Sequence, residues 1–372
     1  MSRFGKHRVA VWLMGKLLTF AGALQNIPNK TTPPPFRLMQ ISSSYWQSRA
    51  LYVAAQLNIA SLLGASPMQV EALAKKVAAH PDALYRLLRM LAAMGIFTEA
   101  APRTFANNPL SEPLRDDSAQ SIRAMILMHN SPEMSRPWCE QLENGVRSGE
   151  PPFVLTHGAE LFDYMDNHAE FDHLFSRAMD SVEALAGDSF ATDFDWGRFE
   201  RLIDVGGSRG AKAITILKHH PKLQALVFDR PQVVAGAVEF LKGQVAPELL
   251  ARLTFEGGSM LEYIPPARSA RDVYLLSAVF HGIDDAACIQ TLKRLAAAIG
   301  GTGATVALLE MVMAEHNADF ITASFDMQMF MGTRGRERTL REWEGLFKAG
   351  GFTLSEVVGL RTFGKILVIH AQ

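Results

Sequence analysis

The chain has 372 residues, 48% of them hydrophobic and 20% charged, which is long for one domain and apolar enough to build the cores of two. Its formal net charge of -1 excludes a global basic field that would recruit nucleic acid or a membrane surface, so no nucleic-acid partner is expected. Two cysteines, Cys139 and Cys288, exclude a disulfide framework and suit a reducing, cytoplasmic setting.

Residues 1–35 stand apart. Arg3, Lys6, His7 and Arg8 precede an apolar run, Val9–Leu24, that Lys16 interrupts. The run is too broken for a membrane span, so no stable membrane insertion is expected. A basic segment followed by an apolar one is compatible with a signal or a membrane-surface helix, but the favoured reading is an amphipathic arm that packs on a partner subunit, or an upstream start with little structure. Thr31–Pro35 (TTPPP) reads as an extended linker. From Phe36 to Leu114 the pattern is helical. Apolar residues at helical spacing run to Gly64, a short helix covers Pro67–Val77, and a longer one runs from Pro81 to near Gly95. Phe97–Phe105 then looks like a hairpin around Pro102. Together these elements make a winged-helix-like domain at 36–114. The longer helix carries Leu84, Leu87, Leu88, Met90 and Leu91, with only Arg86 and Arg89 basic, so dimerisation is expected of it rather than DNA binding.

Residues 115–190 form a second helical stretch, with Met125, Met128, Trp138, Phe162, Phe171, Phe175 and Met179. Taken alone, these residues fit a core and a wall for a flat apolar ligand equally well. From 191 to 372 strands alternate with helices. Strands are expected at 202–205, 224–228, 252–255, 272–276, 304–310 and 364–370, giving an α/β doubly wound sheet with its ligands at the carboxyl ends of the strands. Thr353–Gly359 and Lys365–His370 read as an antiparallel pair closing one edge.

Leu202–Asp229 carries the most chemistry. A buried strand leads into Gly206-Gly207-Ser208-Arg209-Gly210, a helix follows, and a second strand ends in Asp229. The glycines let a ligand approach the backbone, and the helix N-terminus points at it. Asp229 is placed to accept hydrogen bonds from ribose hydroxyls. In the dinucleotide register G-x-G-x-x-G, Ser208 takes the second glycine, and Asp204 sits where phosphate charge would lie. Asp204 suits a cationic amino-acid moiety better, so the expected cofactor is S-adenosylmethionine (SAM).

From Phe36 onward the chain resembles the SAM-dependent small-molecule O-methyltransferases of the plant caffeate/flavonoid type and their bacterial relatives. The blocks that carry this are SSSYWQSRALYVAAQLNIASLL, DALYRLLRMLAAMGIF, LIDVGGSRG, VFDRPQVV, DVYLLSAVFHGIDD and GRERTLREWEGLFKAGGF. The resemblance implies a class I methyltransferase domain with a Rossmann-like sheet, an N-terminal winged-helix-like dimerisation domain, a homodimer, and an aromatic hydroxylated substrate. It gives His281 the role of general base, flanked by Glu310 and Glu337. A phenol of pKa about 10 is protonated at neutral pH and a histidine near 6.5 can take its proton. It places Gly206, Gly207, Gly210, Asp229, Ser259, Met260 and Ser277 around the cofactor. It places Phe162, Phe175 and Met179 in the substrate pocket, with Met125, Met128, Met327, Met329 and Met331 shaping it.

Four positions depart from the family pattern. Ser208 replaces a glycine, Ser259 replaces an acid, HGIDD replaces HDWDD, and Ser277 replaces a residue that is often basic. These departures carry the alternative readings: N- or C-methylation, or a SAM-binding hydroxylase or decarboxylase. A SAM-responsive DNA-binding regulator is the distant alternative. No metal is expected, because adjacent Asp284 and Asp285 point in different directions and no His or Cys ligand spacing accompanies them.

Overall fold

A computed structural model describes residues 31–362 and 364–372. The basic segment and the apolar run before Lys30 lie outside the described residues. The chain divides into two compact units. Among the described residues, one holds residues 31–143 together with Leu155–Leu185. The other holds Asn144–Val154 and Ala186–Gln372.

The first unit opens with helix α1 (Pro34–Gln56). The expected linker is therefore shorter than TTPPP. Pro34 and Pro35 start the helix, where a missing N–H costs nothing and the fixed φ is already helical. Asn58, at φ 54°, breaks the apolar run expected as one helix and starts α2 (Ile59–Leu63). Helices α3 (Val70–Lys76) and α4 (Pro81–Ala93) follow. A small sheet of β1 (Met68–Gln69), β2 (Thr98–Ala101) and β3 (Thr104–Ala106) has the order β1-β3-β2, all antiparallel. Ile59, Leu73, Leu84, Leu88, Leu91, Phe97 and Phe105 interlock in one core. Arg103, at the hairpin tip, is held by Glu71 and Asp82 and lies over the Tyr85 ring. Helix α5 (Arg123–Asn130), several short turns and α6 (Ala169–Ala186) complete the unit. Large apolar side chains of α1 stay exposed: Phe36, Leu38, Met39, Ile41, Tyr45 and Trp46.

The second unit is a seven-stranded sheet. Its strands are β4 (Arg201–Val205), β5 (Gln224–Asp229), β6 (Leu253–Gly257), β7 (Asp272–Ser277), β8 (Thr305–Glu310), β11 (Phe352–Gly359) and β12 (Lys365–Ala371). The order is β11-β12-β8-β7-β4-β5-β6, parallel except that β12 runs antiparallel to both β8 and β11. The order reverses between β4 and β7, which puts a crevice at the carboxyl ends of those strands. Leu202, Ile203, Val205, Leu275 and Leu276 are fully buried, and apolar clusters cover both faces of the sheet, as a parallel sheet requires. Helices α7 (Ala211–His219), α8 (Asp285–Ile299) and α10 (Leu340–Ala349) pack on it, and α9 (Phe320–Gly332) packs against the short strand Val312–Met313. A two-residue pair, β9 (Val312–Met313) with β10 (Arg338–Thr339), ties the segment after β8 to the segment before α10. Among the described residues no helix is long and apolar enough to cross a membrane.

Candidate active site

The glycine turn leaves β4 and starts α7. Gly206, Ser208 and Gly210 all have positive φ, at 74°, 52° and 82°. A Cβ on Gly206 would fall 2.7 Å from Val279 Cγ2, and one on Gly207 would fall 2.6 Å from the Asp204 carboxyl carbon. These glycines are therefore required by packing inside the protein before any ligand arrives. Asp204 is buried at the end of β4. Asp229 ends β5, and both its oxygens are occupied. Ser208 N–H donates to Oδ2 and Arg230 N–H donates to Oδ1, each at 2.7 Å. Burial pushes the Asp229 carboxyl above the ordinary range, against those two amides. The turn is thus latched to the acid of the next strand by the residue that replaces a glycine.

Ser259 and Met260 follow β6. Gly258 N–H donates to Asp229 O at 2.9 Å, and a Cβ on Gly258 would fall 2.6 Å from the Phe228 ring. The absence of that side chain lets the loop lie on the end of β5. Ser277 ends β7. The eight residues expected around the cofactor thus stand at or just beyond the carboxyl ends of four adjacent strands, β7, β4, β5 and β6. This donor set suits SAM: a buried acid for an ammonium, an acid for a diol, and a glycine-rich turn between them.

His281 lies one short turn beyond β7, in Phe280–Gly282. Its Nδ1 is 2.9 Å from Glu337 Oε1. The His281 side chain is 21% exposed and that of Glu337 is 0% exposed. Burial disfavours a charged imidazole here. The hydrogen bond that Nδ1–H donates to Glu337 and the negative charges of Glu310 and Glu337 outweigh it, so the His281 pKa lies above its ordinary value. Glu310 ends β8, and its hydrogen bonds go to the backbone and not to the ring. Its Oε1 accepts from the backbone N–H groups of Val279 and Phe280, at 3.0 and 2.8 Å, and so fixes the approach to the turn. Burial raises the Glu310 pKa. With Nδ1 directed to Glu337, Nε2 is the ring nitrogen left to meet a substrate.

The apolar residues expected in the substrate pocket separate into two groups. In the first unit, Phe162 and Met179 are 42% and 37% exposed. Met125 and Phe175 are half-buried, Phe175 lying edge-on to Phe171. In the second unit, Met327 is exposed on α9. Met128 and Met331 are both buried. Asp284 caps α8 by accepting from Ala287 N–H, and Asp285 pairs with Arg336 and Arg338. Buried Arg338 was missed. The signal for it was present in GRERT, where a cation stands beside an acid already assigned to His281.

Residues 138–353 match the O-methyltransferase domain family, and residues 39–116 match the O-methyltransferase dimerisation domain. The chain belongs to the O-methyltransferase family. It is 32% identical to a phenazine O-methyltransferase of Lysobacter antibioticus, over 90% of this chain and 95% of that one. It is 30% identical to a phenazine-1-carboxylate N-methyltransferase of Pseudomonas aeruginosa, over 89% and 96%. Its fold matches the crystal structure of a methyltransferase of calicheamicin biosynthesis in its S-adenosylhomocysteine-bound form. That match has a TM-score of 0.77 at 28% identity and covers 91% of this chain and 98% of that one. The enzyme is a SAM-dependent methyltransferase, and its dimerisation domain supports a homodimer.

Proposed function

We propose that the enzyme methylates a hydroxyl group on an aromatic small molecule, with His281 as general base. The observation that carries this is the buried Glu337 carboxylate on His281 Nδ1, which leaves Nε2 free. Bound SAM supplies an electrophilic methyl group on a sulfonium. His281 Nε2 takes the hydroxyl proton as the acceptor oxygen becomes nucleophilic. Glu337 holds the productive tautomer and stabilises the imidazolium that forms. Glu310 holds the backbone amides that lead into His281. Such a base contributes about 10²–10⁴-fold.

On this reading Asp229 accepts from the ribose hydroxyls and Asp204 faces the amino group. Gly206, Gly207 and Gly210 give room for the methionine portion, while Ser259, Met260 and Ser277 lie toward the adenosine. Met327, exposed on α9, is the apolar side chain of this unit that we assign to the acceptor ring. The exposed apolar face of α1 fits a second copy of this chain. Two unbonded cysteines, one exposed and one buried, fit a cytoplasmic enzyme.

His281→Ala is expected to keep SAM affinity by calorimetry and to lose about 10²–10⁴-fold in turnover. Turnover at the wild-type rate would overturn the base. The similarity to an N-methyltransferase favours transfer to nitrogen as the second reading. A product whose added methyl is on nitrogen by NMR would establish it.

A further inference from the structure

The turn that carries His281 is held from a second side, by side chains that the methylation chemistry does not use. Arg338 is 1% exposed. Its Nη1 donates to Phe280 O at 2.8 Å and its Nη2 to Ile283 O at 3.2 Å. Those carbonyls stand immediately before His281 and immediately after Gly282. Nε and Nη2 also reach Asp285 Oδ1, at 3.0 and 2.8 Å, and the guanidinium lies 5.1 Å over the Trp343 ring. Three residues earlier, Gly335 presses on the same turn. A Cβ there would fall 1.9 Å from His281 O, so no side chain fits between the two backbones.

We propose that Arg338 is a positioning residue for the base, acting as a clamp that closes with Gly335 on the backbone of residues 280–283. The proposal rests on the reading of His281 as base. The logic is one of shared register. Glu337 grips the imidazole and Arg338, the next residue, grips the backbone under it. A shift of this segment therefore moves ring partner and main chain together. The segment is itself registered, since Arg338 pairs with Val312 and Thr339 with Met313. Val312 is two residues beyond Glu310, whose carboxylate holds the amides of Val279 and Phe280. The turn is thus held by the amides of Val279 and Phe280 on its entry side and by the carbonyls of Phe280 and Ile283 that bracket it, and both holds trace to the end of β8. A planar guanidinium can serve two carbonyls and a carboxylate at once, which a single ammonium cannot.

The test uses the full-length enzyme bound to S-adenosylhomocysteine, with ¹⁵N-labelled histidine. In the wild type, His281 is expected to give a low-field imidazole N–H signal, assigned by its loss in His281→Ala, that exchanges slowly with water. In Arg338→Lys that exchange is expected to speed up at least about tenfold, with S-adenosylhomocysteine affinity within about twofold of wild type. On an acceptor the wild type methylates, kcat is expected to fall about 10–10²-fold at unchanged KM for SAM, since small misplacements carry costs of that size. Wild-type exchange and wild-type kcat in a folded Arg338→Lys would overturn the clamp. If Arg338→Lys does not fold, Asp285→Asn gives the same readings, because Asp285 lies half-exposed and anchors the guanidinium. About threefold faster exchange is expected there, and wild-type exchange would overturn the proposal. The two readings fail separately. Wild-type turnover in His281→Ala removes the base, whereas an inactive His281→Ala with an unaffected Arg338→Lys removes only the clamp.

Discussion

Glu337→Gln isolates the charge at the heart of the site. The amide keeps the size of the carboxylate and an oxygen to accept from Nδ1 at 2.9 Å, but not the negative charge. A hydrogen bond to a charged group is worth about 1.5–3 kcal/mol, and one pH unit corresponds to about 1.36 kcal/mol. The base works only as neutral imidazole. Because the His281 pKa is raised, wild-type kcat should fall as pH drops through that raised value. In Glu337→Gln this acid limb should move to lower pH by about one to two units. The plateau should also fall, by about 10–10²-fold, because the imidazolium formed during transfer loses its counter-charge. The sign of the stability change should depend on pH. Glu310 Oε2 and Glu337 Oε2 are buried without hydrogen-bond partners, so removing one carboxylate relieves a buried charge. A raised folded-state histidine pKa contributes stability that is present below the unfolded value and is lost as pH rises through the folded value. The variant should therefore melt lower than wild type near pH 5.5 and at or above wild type near pH 9. Measuring kcat from pH 5.5 to 9, with melting curves at both ends, checks each part. An acid limb that stays at the wild-type pH would refute the coupling of Glu337 to the base.

Three further outcomes follow from the cofactor turn and from α1. Gly207→Ala should weaken SAM binding at least tenfold by calorimetry, because its Cβ would fall 2.6 Å from the Asp204 carboxyl; overpacking costs about 1–3 kcal/mol, and unchanged affinity would show that the turn adapts. Ser208→Gly removes a non-glycine residue from φ 52°, a relief of about 1–2 kcal/mol offset by about 0.5–1 kcal/mol of glycine entropy. A melting temperature equal to or above wild type with SAM affinity retained is expected, and a tenfold loss of affinity would show that the hydroxyl itself holds the cofactor. Trp46→Glu places a charge on the exposed face of α1, where Trp46 is 56% exposed, and should shift sedimentation from dimer to monomer. An unchanged dimer would move the interface elsewhere.

How much of this was legible depended on how local the cause was. The central strands of the sheet were readable because each is an apolar run between turns, and a doubly wound sheet needs such runs buried on both faces. The glycine turn was readable because its residues are contiguous. The Ser208 departure was visible as a missing glycine, but its consequence was not. That its amide bonds Asp229, 21 residues on, is a property of two strands laid side by side. Met128 and Met331 show the same limit from the other direction. Methionine spacing on a helix marks an apolar face, and only packing decides whether that face meets a ligand or the core.

The pair Glu310 and Glu337 shows why residue type alone under-determines a site. Both are acids near one histidine, and sequence order gives them equal standing. The structure gives them different work: Glu337 bonds the ring, and Glu310 bonds the two amides before it. The difference arises because Glu310 ends a strand parallel and adjacent to β7, so its carboxylate arrives beside the backbone where the chain leaves that strand. Glu337 arrives on a segment registered two residues beyond, so its carboxylate reaches past the backbone to the imidazole. Two buried carboxylates around one imidazole are electrostatically costly by themselves. The compensation has three parts, namely amides for Glu310, a protonatable ring for Glu337, and a buried guanidinium next along the chain. This arrangement holds charge in place for a proton transfer at the expense of stability, and removing the charge of Glu337 should therefore separate the two effects.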